Sequence, residues 1–150
     1  MAEEVLVLEE KFVLTIFGAS GDLAKLKIFP SIFALAEAGM LPANYWIIGY
    51  ARSEYDQSSF VDLFRTSVQA YCEKNGGWSE KRSDVLEDLL QQVYYYRGQY
   101  DKASSYSGYA EYRNELTNNN FAQELFYFSI PPSVYVPVVQ QISDIPDLDK

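Results

Sequence analysis

The chain has 150 residues, 48% of them hydrophobic and 22% charged, with a net charge of −9 and no histidine. Those values describe one ordinary globular domain and exclude disordered or fibrous classes. The acidic surplus argues against a general nucleic-acid surface, which needs Lys and Arg on phosphates, and no apolar run approaches the roughly 20 residues of a membrane span.

Residues 1–10 read as an acidic, disordered N-terminus. They lack the basic region and small-residue cleavage site of a secretory signal, so a cytoplasmic location is expected. The domain proper is expected over residues 11–143, with residues 144–150 as a tail or the start of an interrupted connection. Residues 11–17 form a nearly continuous apolar run, as in a strand covered on both faces of a parallel sheet. A turn follows at Gly18 to Ala24, then a helical stretch with Leu26, Phe29, Phe33 and Ala36 on one face. Pro30 lacks an amide proton, which predicts a kink or restart near Phe29. Gly39 ends that helix, and residues 45–50 (YWIIGY) form the second strand.

Residues 58–75 and 79–92 have helical periodicity and are separated by Asn75-Gly76-Gly77. The single cysteine, Cys72, falls beside Val68 and Tyr71 on the first of these helices and reads as buried filler. With no histidine and one thiol, neither a disulfide nor a metal site is expected. Residues 93–97 form a third strand, 103–118 a polar helix, 124–130 a fourth strand ending at Pro131-Pro132, and 133–142 a last helix. The alternation predicts an α/β fold, Rossmann-like, with a mostly parallel sheet and helices on both faces.

The turn has the mechanism of a phosphate-binding loop. Gly18 suits a tight turn, Gly21 lets the backbone approach a ligand, and the amides opening the next helix, with its dipole, favour a pyrophosphate. Ala24 allows close helix–strand packing. The pattern is G-x-x-G-x-x-A, with Ser20 where the usual second glycine stands. Gly18, Ala19, Ser20, Gly21, Asp22, Leu23, Ala24 and Lys25 are the candidate binding residues of this loop. Asp22 is expected to cap the helix through backbone amides, and Lys25 and Lys27 either screen phosphate charge or face solvent.

Coenzyme choice is read past the second strand, where NAD enzymes place an acid on the ribose. Here Arg52 follows Tyr50-Ala51, and a guanidinium there grips a 2′-phosphate, so NADP is the expected coenzyme. Glu54 and Asp56 stand just beyond, close enough for a loop shift to bring either to the ribose.

The segment GASGDLAKLKIFP from Gly18 to Pro30 resembles glucose-6-phosphate dehydrogenase. The resemblance continues through Leu41-Pro42, Gly49-Tyr50-Ala51-Arg52-Ser53, Gly98-Gln99-Tyr100-Asp101, Leu125-Phe126-Tyr127 and Pro131-Pro132-Ser133-Val134-Tyr135. It implies NADP bound by residues 18–25, Arg52 and Tyr135, with Lys27 a weaker correspondence. It also implies hydride transfer from C1 of glucose 6-phosphate to NADP by a parent enzyme, in the pentose phosphate pathway. The family's histidine base, its EKPxG block and its RIDHYLGK block are absent, so the chain is expected to stop before the α+β substrate domain. The isolated chain is then expected to bind NADP without turnover, to meet glucose 6-phosphate only with the missing domain, and to be a monomer with exposed apolar surface. Two other readings are a stand-alone NADP-sensing module and a short-chain oxidoreductase. The latter needs Tyr-x-x-x-Lys, and Tyr71 precedes Lys74 by only three positions.

Overall fold

The computed structural model describes residues 11–145, so the expected N-terminal segment 1–10 and the last five residues of the tail lie outside it. Four parallel strands, β1 (Phe12–Phe17), β2 (Tyr45–Ala51), β3 (Val93–Arg97) and β4 (Gln123–Phe128), lie in the order β3-β2-β1-β4. From β1 the chain moves outward to β2 and β3, then returns to the far side of β1 with β4. The order therefore reverses between β1 and β4, where the carboxyl ends of α/β strands leave a crevice.

Strand alternation divides the core in two. Phe12 and Ile16, Ile47 and Ala51, and Val93 and Tyr95 face α1 (Phe29–Glu37), α2 (Gln57–Lys74) and α3 (Glu80–Leu90). Val13, Phe17, Ile48 and Tyr50 face α4 (Ala103–Thr117) and α5 (Tyr135–Ser143), through Tyr106, Tyr109 and Val138. This is the expected doubly covered sheet, and β1 is buried on both faces as its apolar run predicts. Cys72 is fully buried in the first cluster, where burial pushes its thiol up and leaves it as filler. Ile145 is buried in the second cluster, so packing continues two residues past α5.

Two elements differ in form from expectation. The first helix opens as a π-helical segment, Ala24–Ile28, in which the Phe29 amide reaches back to Ala24 O. Pro30 cannot donate to the turn before it, and the widened turn carries the helix past that gap before α1 resumes regular α geometry. The fourth strand ends at Phe128, two residues early. The Ser129 amide makes a final bond to Phe17 O (2.8 Å), after which the chain turns across Gly18 into a 3₁₀ turn, Pro132–Val134, that leads into α5.

Glycine 49 matters for how the layers approach. A Cβ there would stand 2.4 Å from the Phe60 ring and 2.8 Å from Ala19 Cβ, so its absence lets α2 seat against β2 beside the loop. Phe60 in turn meets Phe29 edge-on at 5.9 Å, and Phe29 stacks on Phe64 at 4.3 Å. No helix among the described residues is long and apolar enough to cross a membrane.

Candidate functional site

The glycine loop leaves β1 at Gly18 with φ +81°. Its amide donates to Tyr50 O at 2.9 Å, the Ala19 amide adds a longer bond (3.4 Å) to the same carbonyl, and Gly21 N donates to Gly18 O at 3.0 Å. The loop is thus tied to the end of β2 and closed on itself. A Cβ on Gly18 would lie 2.0 Å from Ser129 O, so the residue needs glycine for its dihedral and for the passage of the β4 end. Gly21 has open space on its Cβ side apart from an ordinary contact with Gly18 O, which leaves room for a ligand.

The first helical bond runs from Lys25 N to Gly21 O (3.1 Å). Gly21 is therefore the capping position and Asp22 sits one residue inside the helix. The expected cap by Asp22 is not formed: its side chain is exposed, accepts no backbone amide among the described residues, and pairs with Lys25 at 3.5 Å. The amides of Ser20, Asp22 and Leu23 donate to no backbone carbonyl among the described residues, which leaves donors at the helix start of the kind that suit an anion.

Ser20, in place of the second glycine, shares a 2.8 Å hydrogen bond with the hydroxyl of Ser53. That bond links the loop to the segment carrying Arg52. The Arg52 guanidinium lies 5.4 Å from the centre of the Tyr100 ring, a cation–π arrangement. Burial pushes the Tyr100 phenol above its ordinary value, with Arg52 and the Gly18 backbone drawing it partly back. Tyr50 supports this platform from beneath: its ring stacks on Tyr100 at 5.9 Å and its hydroxyl donates to Gln99 O at 2.6 Å. Arg52, Tyr100, Pro131, Val134 and Pro137 line a cleft of about 340 Å³.

The acids beyond Arg52 are engaged elsewhere. Asp56 caps α2, accepting from Ser59 N at 2.8 Å, and that bond holds its carboxyl below the usual range. Glu54 pairs with Arg97 at 3.5 Å. Arg52 forms no ion pair among the described residues.

On the β4 side, the Ser129 hydroxyl is buried without a partner, the one such side-chain atom among the described residues. The backbone carbonyl of the same residue crosses Gly18, at the point where the strand order reverses. Tyr135, the first residue of α5, packs its ring 5.5 Å from Phe128 at the end of β4, on the same rim.

The structure thus brings Gly18, Ala19, Ser20, Gly21, Leu23, Arg52 and Tyr135 to the carboxyl ends of the strands. Ala19 and Ala24 bury their side chains and offer only backbone. Asp22 and Lys25 turn outward and line a separate depression of about 400 Å³ between the first helix and α2, and Lys27 lines a neighbouring one. We place the site at the cleft rather than in this larger hollow, because the cleft lies at the carboxyl ends of the strands, through Arg52 past β2 and Pro131 past β4. Residue-by-residue reading missed Tyr100, Ser129 and Arg97. Tyr100 stands in the GQYD block already noted, whereas nothing local to Ser129 announces that its carbonyl crosses Gly18.

Comparison with known proteins follows the same lines. A family model described as "Glucose-6-phosphate dehydrogenase, NAD binding domain" matches residues 15–148. The chain is 35% identical over 127 residues to a chloroplastic glucose-6-phosphate 1-dehydrogenase of Nicotiana tabacum, covering 85% of this chain and 21% of that protein. It is 34% identical over 143 residues to glucose-6-phosphate 1-dehydrogenase of Schizosaccharomyces pombe, covering 95% and 28%. A solved glucose-6-phosphate dehydrogenase in complex with its substrate glucose-6-phosphate superposes with a TM-score of 0.79 at 32% identity, over 95% of this chain and 29% of the other. The chain therefore spans between a fifth and a third of the length of these relatives. It belongs to the glucose-6-phosphate dehydrogenase family, of which it carries the coenzyme-binding N-terminal domain.

Proposed function

We propose that the chain binds NADP in preference to NAD and serves as the coenzyme-holding part of an enzyme that oxidises glucose 6-phosphate. The observation that supports this most is the disposition of charge past β2. Arg52 faces the cleft without a carboxylate partner among the described residues, while Glu54 is paired with Arg97 and Asp56 caps α2. Asp101 also lines the cleft, but directly past β2 a 2′-phosphate meets the Arg52 guanidinium.

NADP, when bound, supplies the hydride acceptor. The chain's own residues bind and orient it. The amides of Ser20, Asp22 and Leu23, at a helix start, hold the pyrophosphate. Arg52, steadied by the Tyr100 ring, and the hydroxyls of Ser20 and Ser53 hold the phosphorylated ribose. Gly18 leaves the backbone room to pass, and Tyr135 stands on the β4 side beside Phe128. Open space on the Cβ side of Gly21 and amides at the helix start that meet no backbone carbonyl among the described residues fit a resident dinucleotide. No histidine is present to take the sugar hydroxyl proton, so the chain by itself is a binding domain.

Arg52→Ala should weaken NADP binding about tenfold or more and leave NAD nearly unchanged, measured by equilibrium titration of both coenzymes. Equal losses for the two would overturn the NADP assignment. Glucose-6-phosphate-dependent NADPH formation by the pure 150-residue chain would overturn the binding-domain reading.

A further inference from the structure

Arg97 ends β3 and pairs in register with Ala51, which places it next to the peptide that carries Arg52. Its guanidinium makes two different contacts. Nε donates to Arg52 O at 3.1 Å, and a terminal nitrogen pairs with Glu54 at 3.5 Å. One side chain thus fixes the backbone under the cleft arginine and engages the carboxylate two residues beyond it.

We propose that Arg97 is a positioning residue for coenzyme choice, keeping Glu54 from opposing a 2′-phosphate while it anchors the Arg52 peptide; this rests on the NADP reading above. Nicotinamide-coenzyme sites separate NAD from NADP by the sign of charge past the second strand. In this chain that position carries both signs, Arg52 and Glu54, two residues apart. A neutralising partner from the adjacent strand resolves the conflict in favour of the arginine. The geometry also explains why an arginine suits the position: its forked donors reach a carbonyl and a carboxylate together, which a single ammonium on Lys does less well. Both partners of the pair are more than half exposed, so the effect is modest, about two- to fivefold in affinity.

The test is a cycle of Arg97→Ala, Glu54→Gln and the double variant in the 150-residue chain, with Kd for NADP and NAD measured for each and the unfolding midpoint as a control for folding. Arg97→Ala is expected to weaken NADP about two- to fivefold, to leave NAD unchanged or tighter, and to leave the midpoint in place. In the Glu54→Gln background most of that NADP loss should vanish, and Arg97→Lys should keep part of the preference. Equal losses for both coenzymes, or an undiminished loss in the Glu54→Gln background, would overturn the role of Arg97. If Arg52→Ala shifts the preference and Arg97→Ala does not, only this inference fails. If wild-type chain shows no preference for NADP, the reading beneath it fails as well.

Discussion

Gly18 is confined twice, by a left-handed dihedral and by the Ser129 carbonyl crossing its missing side chain. Gly18→Ala should destabilise the chain by about 2 kcal/mol or more, through strain and displacement of the loop. Chemical denaturation checks this, and a loss below about 0.5 kcal/mol would mean the loop relaxes freely. Only half of that constraint was legible in the sequence. A glycine after an apolar strand signals a turn, but the crossing carbonyl comes from a residue more than 100 positions away and becomes visible only when β4 lies beside β1. Asp22 shows the opposite error: its type suggests a cap, yet the first helical bond starts at Gly21, so one residue of offset leaves the carboxylate in solvent. Arg52 was legible because its place follows from the end of β2 alone, whereas its Tyr100 platform depends on the β3–α4 connection.

The elements themselves follow local rules, and their boundaries shift where tertiary contacts intervene. Pro30 predicted an interrupted first helix, and the interruption takes the form of a π-helical turn rather than a break. Helix α2 starts at a capping box in which Asp56 accepts from Ser59 N and Ser59 Oγ accepts from the Asp56 amide. The bond from Ser59 lowers the Asp56 carboxyl relative to its unfolded value, so its stabilising contribution is present above the ordinary carboxylate value and fades as pH falls below it. Asp56→Asn should therefore flatten part of the acid limb of stability below about pH 4, followed by denaturation across pH; an unchanged limb would deny the cap its role. Helix α4 is pinned to β4 by Arg113, almost fully buried, which donates from one terminal nitrogen to both Glu124 oxygens at 2.8 and 2.9 Å. Glu124→Ala leaves that guanidinium buried without its counter-charge and should cost about 3–5 kcal/mol, measured by denaturation. A cost under about 1 kcal/mol would show that Arg113 escapes to water.

At the scale of the whole molecule, alternation of apolar strands and helices was enough to specify a parallel sheet covered on two faces. It did not reveal that β4 would be half-covered. Leu125 and Tyr127 share the face of Leu14 by register, and both stay exposed, while the alternate residues of β4 pack toward α4 and α5. Polar replacement of Leu125 and Tyr127 should raise the concentration at which the chain self-associates and leave NADP affinity unchanged, by sedimentation and titration. That separation matters because the proposed coenzyme cleft uses the strand ends and spares this open face. The position of the coenzyme cleft is tested most directly by an NADP titration of the isotope-labelled chain followed by amide chemical shifts. Changes are expected at residues 18–24, 52–53, 98–101 and 129–135, with little at residues 63–74 beside the outer hollow. Shifts concentrated in that hollow, or none at saturating NADP, would contradict that position.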